Sequence, residues 1–221
     1  MNKLKLSLVI ALLGIVSIVG AQTASLSVKG GLNMSNYYGD NLNDKSVKPG
    51  FHVGVGADLE FMTNIALQTG LFFSTKGAKY YHNEPQADGY IKYDINANYL
   101  QLPIHIAYKI DVTPGTKVVF HAGPYLAYGV GGKREITSGW KPGYATILGE
   151  IEEDTFDKNY GFKPFDAGVG LGIGAEFDLI TIDLGWDIGL KDIARSKYGI
   201  AKTNREKIRN QSAYLSLGYK F

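Results

Sequence analysis

Four histidines, His52, His82, His105 and His121, are the side chains of this chain best suited to acid–base or metal chemistry near neutral pH. No H-x-H or H-E-x-x-H spacing joins any two of them, so a metal site would require separate segments to converge. A Ser/His/Asp hydrolase needs its three groups in line, and the nearest assembly in sequence is Ser46, His52 and Asp40 or Asp44. In that reading His52 is the base at a loop mouth. Ser138-Gly139 in TSGW does not sit in a G-x-S-x-G elbow. GVGLGIG at 168–174 has glycines that could approach a phosphate, but they alternate with apolar residues inside one continuous segment, whereas a dinucleotide fingerprint needs strand, turn and helix. The acidic run Glu150, Glu152, Glu153, Asp154 and Asp157 lacks the EF-hand spacing, and calcium or lipopolysaccharide-bridging cations are its candidate ligands. Arg195, Lys197, Lys202, Arg205, Lys207 and Arg209 form a basic segment, opposed by Asp192 and Glu206, suited to lipid phosphates or to the acidic run. Cysteine is absent, which excludes disulfides, thiolate zinc sites, iron–sulfur clusters and a catalytic cysteine. No catalytic, cofactor-binding or metal residue is assigned on this basis.

The elements that would position these groups begin after a leader. Residues 1–21 carry Lys3 and Lys5, an apolar run from Leu6 to Val19 and the small residues Gly20 and Ala21, the pattern of a secretory signal peptide cut before Gln22. Losing Lys3 and Lys5 takes the basic residues from 23 to 21, equal to the 21 acidic ones, so no charge argument for nucleic acid survives. No later stretch has about 18 consecutive apolar residues, so any membrane crossing must use strands.

The clearest segment is 165–179, where Phe165, Ala167, Val169, Leu171, Ile173, Ala175, Phe177 and Leu179 occupy every second position. A period of two means a strand with one apolar face. The same test marks segments at 26–32, 51–61, 65–73, 100–110, 118–128, 180–190 and 213–221, giving eight strands. Connections alternate between short turns (62–64, 111–116, 178–180) and long loops (35–49, 76–93, 131–161, 191–210). That is the pattern of an up-and-down barrel with short periplasmic turns and four long extracellular loops.

Period two alone does not separate a soluble barrel, apolar inside, from a membrane barrel, apolar outside. The minor face does. It holds Gly54, Gly56, Gly168, Gly170, Gly172, Gly174, Gly185 and Gly189 among opposed charges, as a crowded interior requires. Lys29, Lys109 and Lys220 are expected to pair inside with Asp58, Glu60, Glu176, Asp183 and Asp187, and His52, His105 and His121 also point inward, the last two as cross-strand neighbours. Phe51 and Phe61 lie ten residues apart on the apolar face, about 33 Å along a strand and about 25 Å after tilting, the height of a lipid-facing band. Phe120 with Tyr128 and Phe165 with Phe177, eight and twelve residues apart, repeat that arrangement as interfacial girdles.

The closing segment SAYLSLGYKF, ending at Phe221, resembles the C-terminal signal by which outer-membrane barrels are recognised for assembly. With NYLQLPIHIAYKI at 98–110, FHAGPYLAYGVGG at 120–132 and FDAGVGLGIGAEFDL at 165–179, the chain from residue 22 to 221 resembles the small outer-membrane β-barrel family of Bacteroidota called PorT-like. The resemblance implies an eight-stranded antiparallel transmembrane barrel in the outer membrane, without a cofactor. Its named member is associated with type IX secretion, a role that barrel-forming motifs do not transfer.

The expected protein is therefore a side-chain-filled barrel with a structural or interaction role and no enzymatic activity. Its expected partners are outer-membrane lipid, the barrel-assembly machinery and envelope proteins. A loop-mouth lipid or peptide hydrolase using His52, and a secretion-complex component, are the alternatives.

Overall fold

Alternating residues become strands wherever the two faces meet different surroundings, and here they do so from end to end. The computed structural model describes residues 23–39, 45–84, 89–140, 147–158, 161–195 and 207–221. The leader, Asp40, Asp44, Lys197, Lys202, Arg205 and Glu206 lie outside these residues, as do the side chains of His82, Ser138 and Glu150. The strands are β1 (Thr23–Gly39), β2 (Lys45–Met62), β3 (Ile65–Glu84), β4 (Gly89–Thr113), β5 (Thr116–Gly131), β6 (Lys133–Trp140), β7 (Ile147–Asp154), β8 (Phe165–Phe177), β9 (Ile180–Gly189) and β10 (Ile208–Lys220). The sheet order is β3-β2-β1-β10-β9-β8-β5-β4-β6-β7, all antiparallel, and the additional β3–β4 pairing closes a ring of eight strands. Closure leaves the eight strands without a free edge, which is what a sheet in hydrocarbon needs to satisfy its backbone.

Three tight turns link β2–β3, β4–β5 and β8–β9. Asn64 (φ 65°), Gly115 (φ 80°) and Asp178 (φ 49°) supply their left-handed residues, a conformation Gly, Asn and Asp tolerate best.

The ring of eight strands is as expected, but the reading of the long connections as loops needs correction. Residues 76–93, read as a loop, are mostly ladder: β3 and β4 pair from Thr75↔Asn98 out to Glu84↔Gly89. The 131–161 connection contains the hairpin β6–β7, and β6 also pairs with β4 from Gly89↔Trp140 to Ile95↔Arg134. β2, β3, β4, β6 and β7 thus rise as a lobe on one side. On β4 the alternation runs on above the band but in the opposite phase, with Ile95, Ala97 and Tyr99 buried inward and Asp94, Asn96 and Asn98 on the outer face, because lipid no longer lies beside that face.

The barrel is apolar outside. Leu32, Val55, Ile106, Phe120, Leu171, Leu184 and Leu217 are each 45–70% exposed, and the girdle residues Phe51, Phe120, Tyr128, Phe165 and Phe177 all face outward. Phe61 is half-buried, and Leu59, expected on the same outer row, is buried beside the register shift between Glu60 and Met62, where a bulge re-aims side chains. On β4 the outward row is apolar from Val112 to Leu100 and then becomes Asn98, Asn96, Asp94 and Lys92. On β3 it passes from Phe73 to Thr75, Gly77 and Lys79. This switch marks the upper boundary of the apolar band and leaves the lobe in water. Lys48 and Lys79 both pair with Asp94 there. Burial raises the Asp94 carboxyl, but the two lysines outweigh it and hold it below its usual value.

A candidate site inside the barrel

The inward residues form three layers. Nearest the short turns, Lys109, 1% exposed, places Nζ 2.8 Å from Asp58, 3.0 Å from Glu60 and 3.3 Å from Glu176, and Lys220 donates to the other oxygen of Glu176 at 2.7 Å. Gln68 donates to Asp58 at 3.1 Å. Two of the three expected lysines are therefore paired as anticipated. Lys29 is not: it makes no ion pair or hydrogen bond among the described residues, because His121 takes Asp183 (2.9 Å) while Lys76 (3.7 Å) and Gln101 (2.7 Å) take Asp187.

Nearest the long connections, Tyr37, Tyr99 and Tyr125 are fully buried. Asp166 accepts from Tyr125 at 3.2 Å and from Asn210 at 2.8 Å, and Lys76 lies over the Tyr125 ring at 4.8 Å. Above them Phe162, Ile193, Ala194 and Ile208 pack against Tyr37, Tyr80 and Ile95 as an apolar cap. Asp192 fastens this cap, accepting from the N–H groups of Ala194 (3.0 Å) and Ile208 (3.1 Å) and from Lys163 (3.0 Å). Burial raises the Asp192 carboxyl, but these donors outweigh it and hold it below its usual value.

Between the layers lies a cavity of about 90 Å³ that all three inward histidines line. His105 and His121 meet through their Nδ1 atoms at 3.0 Å, diagonally across β4 and β5, since the ladder sets His121 opposite Ala107. With nitrogens that close and ring centroids 5.1 Å apart, the nearly parallel rings meet edge to edge instead of stacking. Asp183 can only accept, so a neutral His121 donates through Nε2 and offers Nδ1 as acceptor. His105 then donates through Nδ1, and its Nε2 is left as a lone pair, buried and without a partner.

His52 belongs to a second chain. Asn33 donates through Nδ2 to the carbonyls of Phe51 and Thr75 and to Ser74, which turns its Oδ1 toward His52 Nδ1 at 2.6 Å. His52 Nε2 then accepts from Ser216 at 2.9 Å. The loop-mouth assembly with Ser46 is thereby corrected: the serine beside His52 is Ser216, on the opposite side of β1 and 164 residues on. Sequence reading missed Ser216 because only ring closure brings β10 beside β1, and it missed Asn33 although that residue lies on β1, the strand next to β2, one inward position from the residue opposite His52. Inward parity was the available signal.

The glycines of 168–174 make room for these groups. A Cβ on Gly170 would lie 2.7 Å from His105 Nε2 and 2.8 Å from Asp187, one on Gly172 would lie 2.4 Å from His121 Nε2, and one on Gly174 would lie 2.8 Å from Asp183. They face bulky partners across the lumen, not phosphate. In the hairpin, Lys133 pairs with Glu152 at 2.5 Å and Arg134 with Glu153, so β6 answers two carboxylates of the acidic run. Glu152 beside it raises the ammonium of Lys133. Among the described residues no group of three or more His, Asp or Glu converges as a metal centre.

A closed antiparallel ring with an apolar outside and a polar inside defines a transmembrane β-barrel. Residues 20–195 match the family described as outer membrane protein beta-barrel domain, and the chain belongs to that family of outer-membrane proteins. Solved structures with a similar fold include Neisserial surface protein A, 13% identical, covering 90% of this chain and 100% of that one with a TM-score of 0.42. Ail of Yersinia pestis, in complex with the heparin analogue sucrose octasulfate, is 14% identical with the same coverages and a TM-score of 0.41. The N-terminal β-barrel domain of Pseudomonas aeruginosa OprF is 15% identical, again with the same coverages, at a TM-score of 0.34. At such identities the likeness extends to the fold alone. No curated protein matches the chain.

Proposed function

We propose that this protein is a closed outer-membrane barrel with a structural or interaction role, exported by the leader at 1–21 and assembled through the strand ending at Phe221. Within its family, the strand motifs quoted above support a likeness to the PorT-like barrels of Bacteroidota. The observation that carries the reading is the pair of barriers across the lumen, the Lys109 carboxylate cluster at one end and the tyrosine layer under its apolar cap at the other. Among the described residues these two layers stand across the lumen at either end, and the polar lobe of β2–β4 with β6–β7 is the surface available to envelope or external partners. In planar bilayers the purified protein is expected to give no stable large-conductance openings; steady openings from a monomer would overturn the reading.

The protein is not an enzyme in this account. Ser216, His52 and Asn33 stand in the order of a nucleophile, base and orienting group, but Ser216 is buried in the lumen, between the two barriers. Their role here is to satisfy one another's polar atoms. A fluorophosphonate probe is expected to leave the folded protein unlabelled. Labelling that disappears in Ser216→Ala would restore the hydrolase alternative. Affinity purification from envelopes in mild detergent tests the partner side; recovery of secretion components would favour the secretion-complex role.

A further inference from the structure

The ring is closed, yet its pairing lapses in one stretch of wall. The ladders β1–β2, β1–β10, β9–β10, β8–β9 and β5–β8 run without a break. β3 and β4 keep one register from Ile65↔Tyr108 to Glu84↔Gly89, but between Thr69↔Ile104 and Phe72↔Gln101 the pairs Gly70–Pro103 and Leu71–Leu102 do not form. On the other side of β4, Pro103↔Tyr125 and Ile106↔Ala122 enclose a second lapse, at Ile104–Pro124 and His105–Gly123.

Each lapse holds a proline, which has no N–H to give a ladder and is rare inside a sheet. Pro103 turns its carbonyl toward β3, where Thr69 Oγ1 donates to it at 2.8 Å. The nitrogen of a strand residue faces the same neighbour as its carbonyl, so the missing donor falls on β3 while the pairing of Pro103 with Tyr125 on β5 is kept. Pro124 likewise keeps Val169 on β8 and fails toward β4. β4 is therefore loosened on both edges between Leu102 and His105, inside its outward apolar row from Leu100 to Val112. Hydrocarbon supplies no substitute donor, so this stretch opens at lower cost than the fully paired wall elsewhere.

Directly behind this stretch lies the mid-barrel cavity, walled there by Thr69 and Phe72 of β3 and by Gln101, Pro103 and His105 of β4. Along the barrel axis it is bounded by the Lys109 cluster and the tyrosine layer, so its least bonded side is the one that faces lipid. A solute arriving through hydrocarbon must be uncharged. A volume of 90 Å³ holds roughly six to nine water-sized positions, which suits a molecule of a few heavy atoms and excludes a phospholipid. Phe72 and Pro103 offer it apolar contact, beside the polar side chains of Gln68 and Thr69. We propose that the β3–β4 seam at Gly70, Leu71, Leu102 and Pro103 is a lateral port through which this cavity takes up a small neutral amphiphile from the bilayer. The proposal rests on the closed-barrel reading above and adds a ligand and its route to it.

The test uses the protein in phospholipid nanodiscs, with n-butanol as the probe and butyrate and butylammonium as its charged counterparts. Amide exchange at Gly70 and Ile104, whose N–H groups face the two lapses, is expected to be about tenfold faster than at Ile173 and Leu184, which pair within an unbroken ladder. n-Butanol is expected to give nuclear Overhauser contacts to the inward ring of Phe72 as well as to the outward ring of Phe73, and the charged probes none to Phe72. Pro103→Ala restores the donor toward β3; it should slow exchange at Gly70 about tenfold and remove the Phe72 contact while leaving that to Phe73. If it fails to fold, Pro103→Val, which restores the same N–H, is read in its place. Exchange at Gly70 and Ile104 as slow as at Ile173 and Leu184, no butanol contact to Phe72, an equal contact from butyrate or butylammonium, or a Phe72 contact that persists in the repaired variant would each overturn the port. Steady conductance in planar bilayers would instead defeat the closed-barrel reading, so the two failures are told apart.

Discussion

Replacing Lys109 with Met tests whether the lower barrier holds the barrel together. The substitution keeps most of the stem and removes the only ammonium paired with Asp58 and Glu60 among the described residues. Glu176 keeps Lys220 at 2.7 Å, so the loss falls on the other two. Asp58 is 8% exposed and retains only the amide of Gln68, which makes it an uncompensated buried carboxylate. Breaking a buried ion pair from one side costs about 3–5 kcal/mol. The Glu60 side chain is about one-third exposed, and its share is discounted to under about 1 kcal/mol for solvent screening. Urea unfolding in phospholipid vesicles, followed by Trp186 fluorescence, is expected to show a loss of about 3–5 kcal/mol. Lys109→Met with Asp58→Leu removes both charges and should recover most of that loss. A single-variant effect below about 1 kcal/mol, or a double variant no better than the single, would refute the reasoning.

Three further outcomes follow from other layers. Gly172→Ala drives a Cβ to 2.4 Å from His121 Nε2 and 2.8 Å from the Leu184 carbonyl and should cost about 1–3 kcal/mol in the same assay, whereas Gly131→Ala, with nothing within 4 Å, should change stability by less than about 0.5 kcal/mol. Asp192 has a folded pKa below its unfolded one, so its contribution is fully present above the ordinary carboxyl value near pH 4 and is lost as pH falls through the folded value. Amide exchange at Ala194 and Ile208 should therefore accelerate specifically below about pH 4, and Asp192→Asn should remove that dependence. Val55→Arg places a charge in the outward apolar row and should destabilise the inserted barrel by about 2–4 kcal/mol, read by vesicle unfolding.

The membrane-spanning strands were legible because lipid outside and packing inside impose opposite demands on neighbouring residues, so Phe165 to Leu179 record both faces in one line. The three short turns were legible through Asn64, the Pro-Gly pair ahead of Thr116, and Asp178. Above the band the contrast changes phase. Thr75 to Glu84 and Gly89 to Asn98 continue the ladder, and on β4 the period of two persists with Ile95, Ala97 and Tyr99 turned inward, so a search for a continuing outward apolar row passed over it. Inside the lumen, parity correctly turned His52, His105 and His121 inward, and proximity was recoverable for His105 and His121 on adjacent strands. Asn33 was likewise recoverable on β1 beside β2, whereas Ser216 next to His52 depended on register across the closure of the ring. So did the isolation of Lys29, whose expected carboxylates were claimed by His121, Lys76 and Gln101.

The absence of native cysteine allows the lipid-facing assignment to be tested by single-cysteine spin labels at Val55, Leu171 and Lys79 in reconstituted vesicles. Labels at Val55 and Leu171 should relax with oxygen and be shielded from a water-soluble nickel chelate, while the label at Lys79, above the polar switch, should show the reverse. Strong relaxation by the chelate at Val55 and Leu171 would contradict the account.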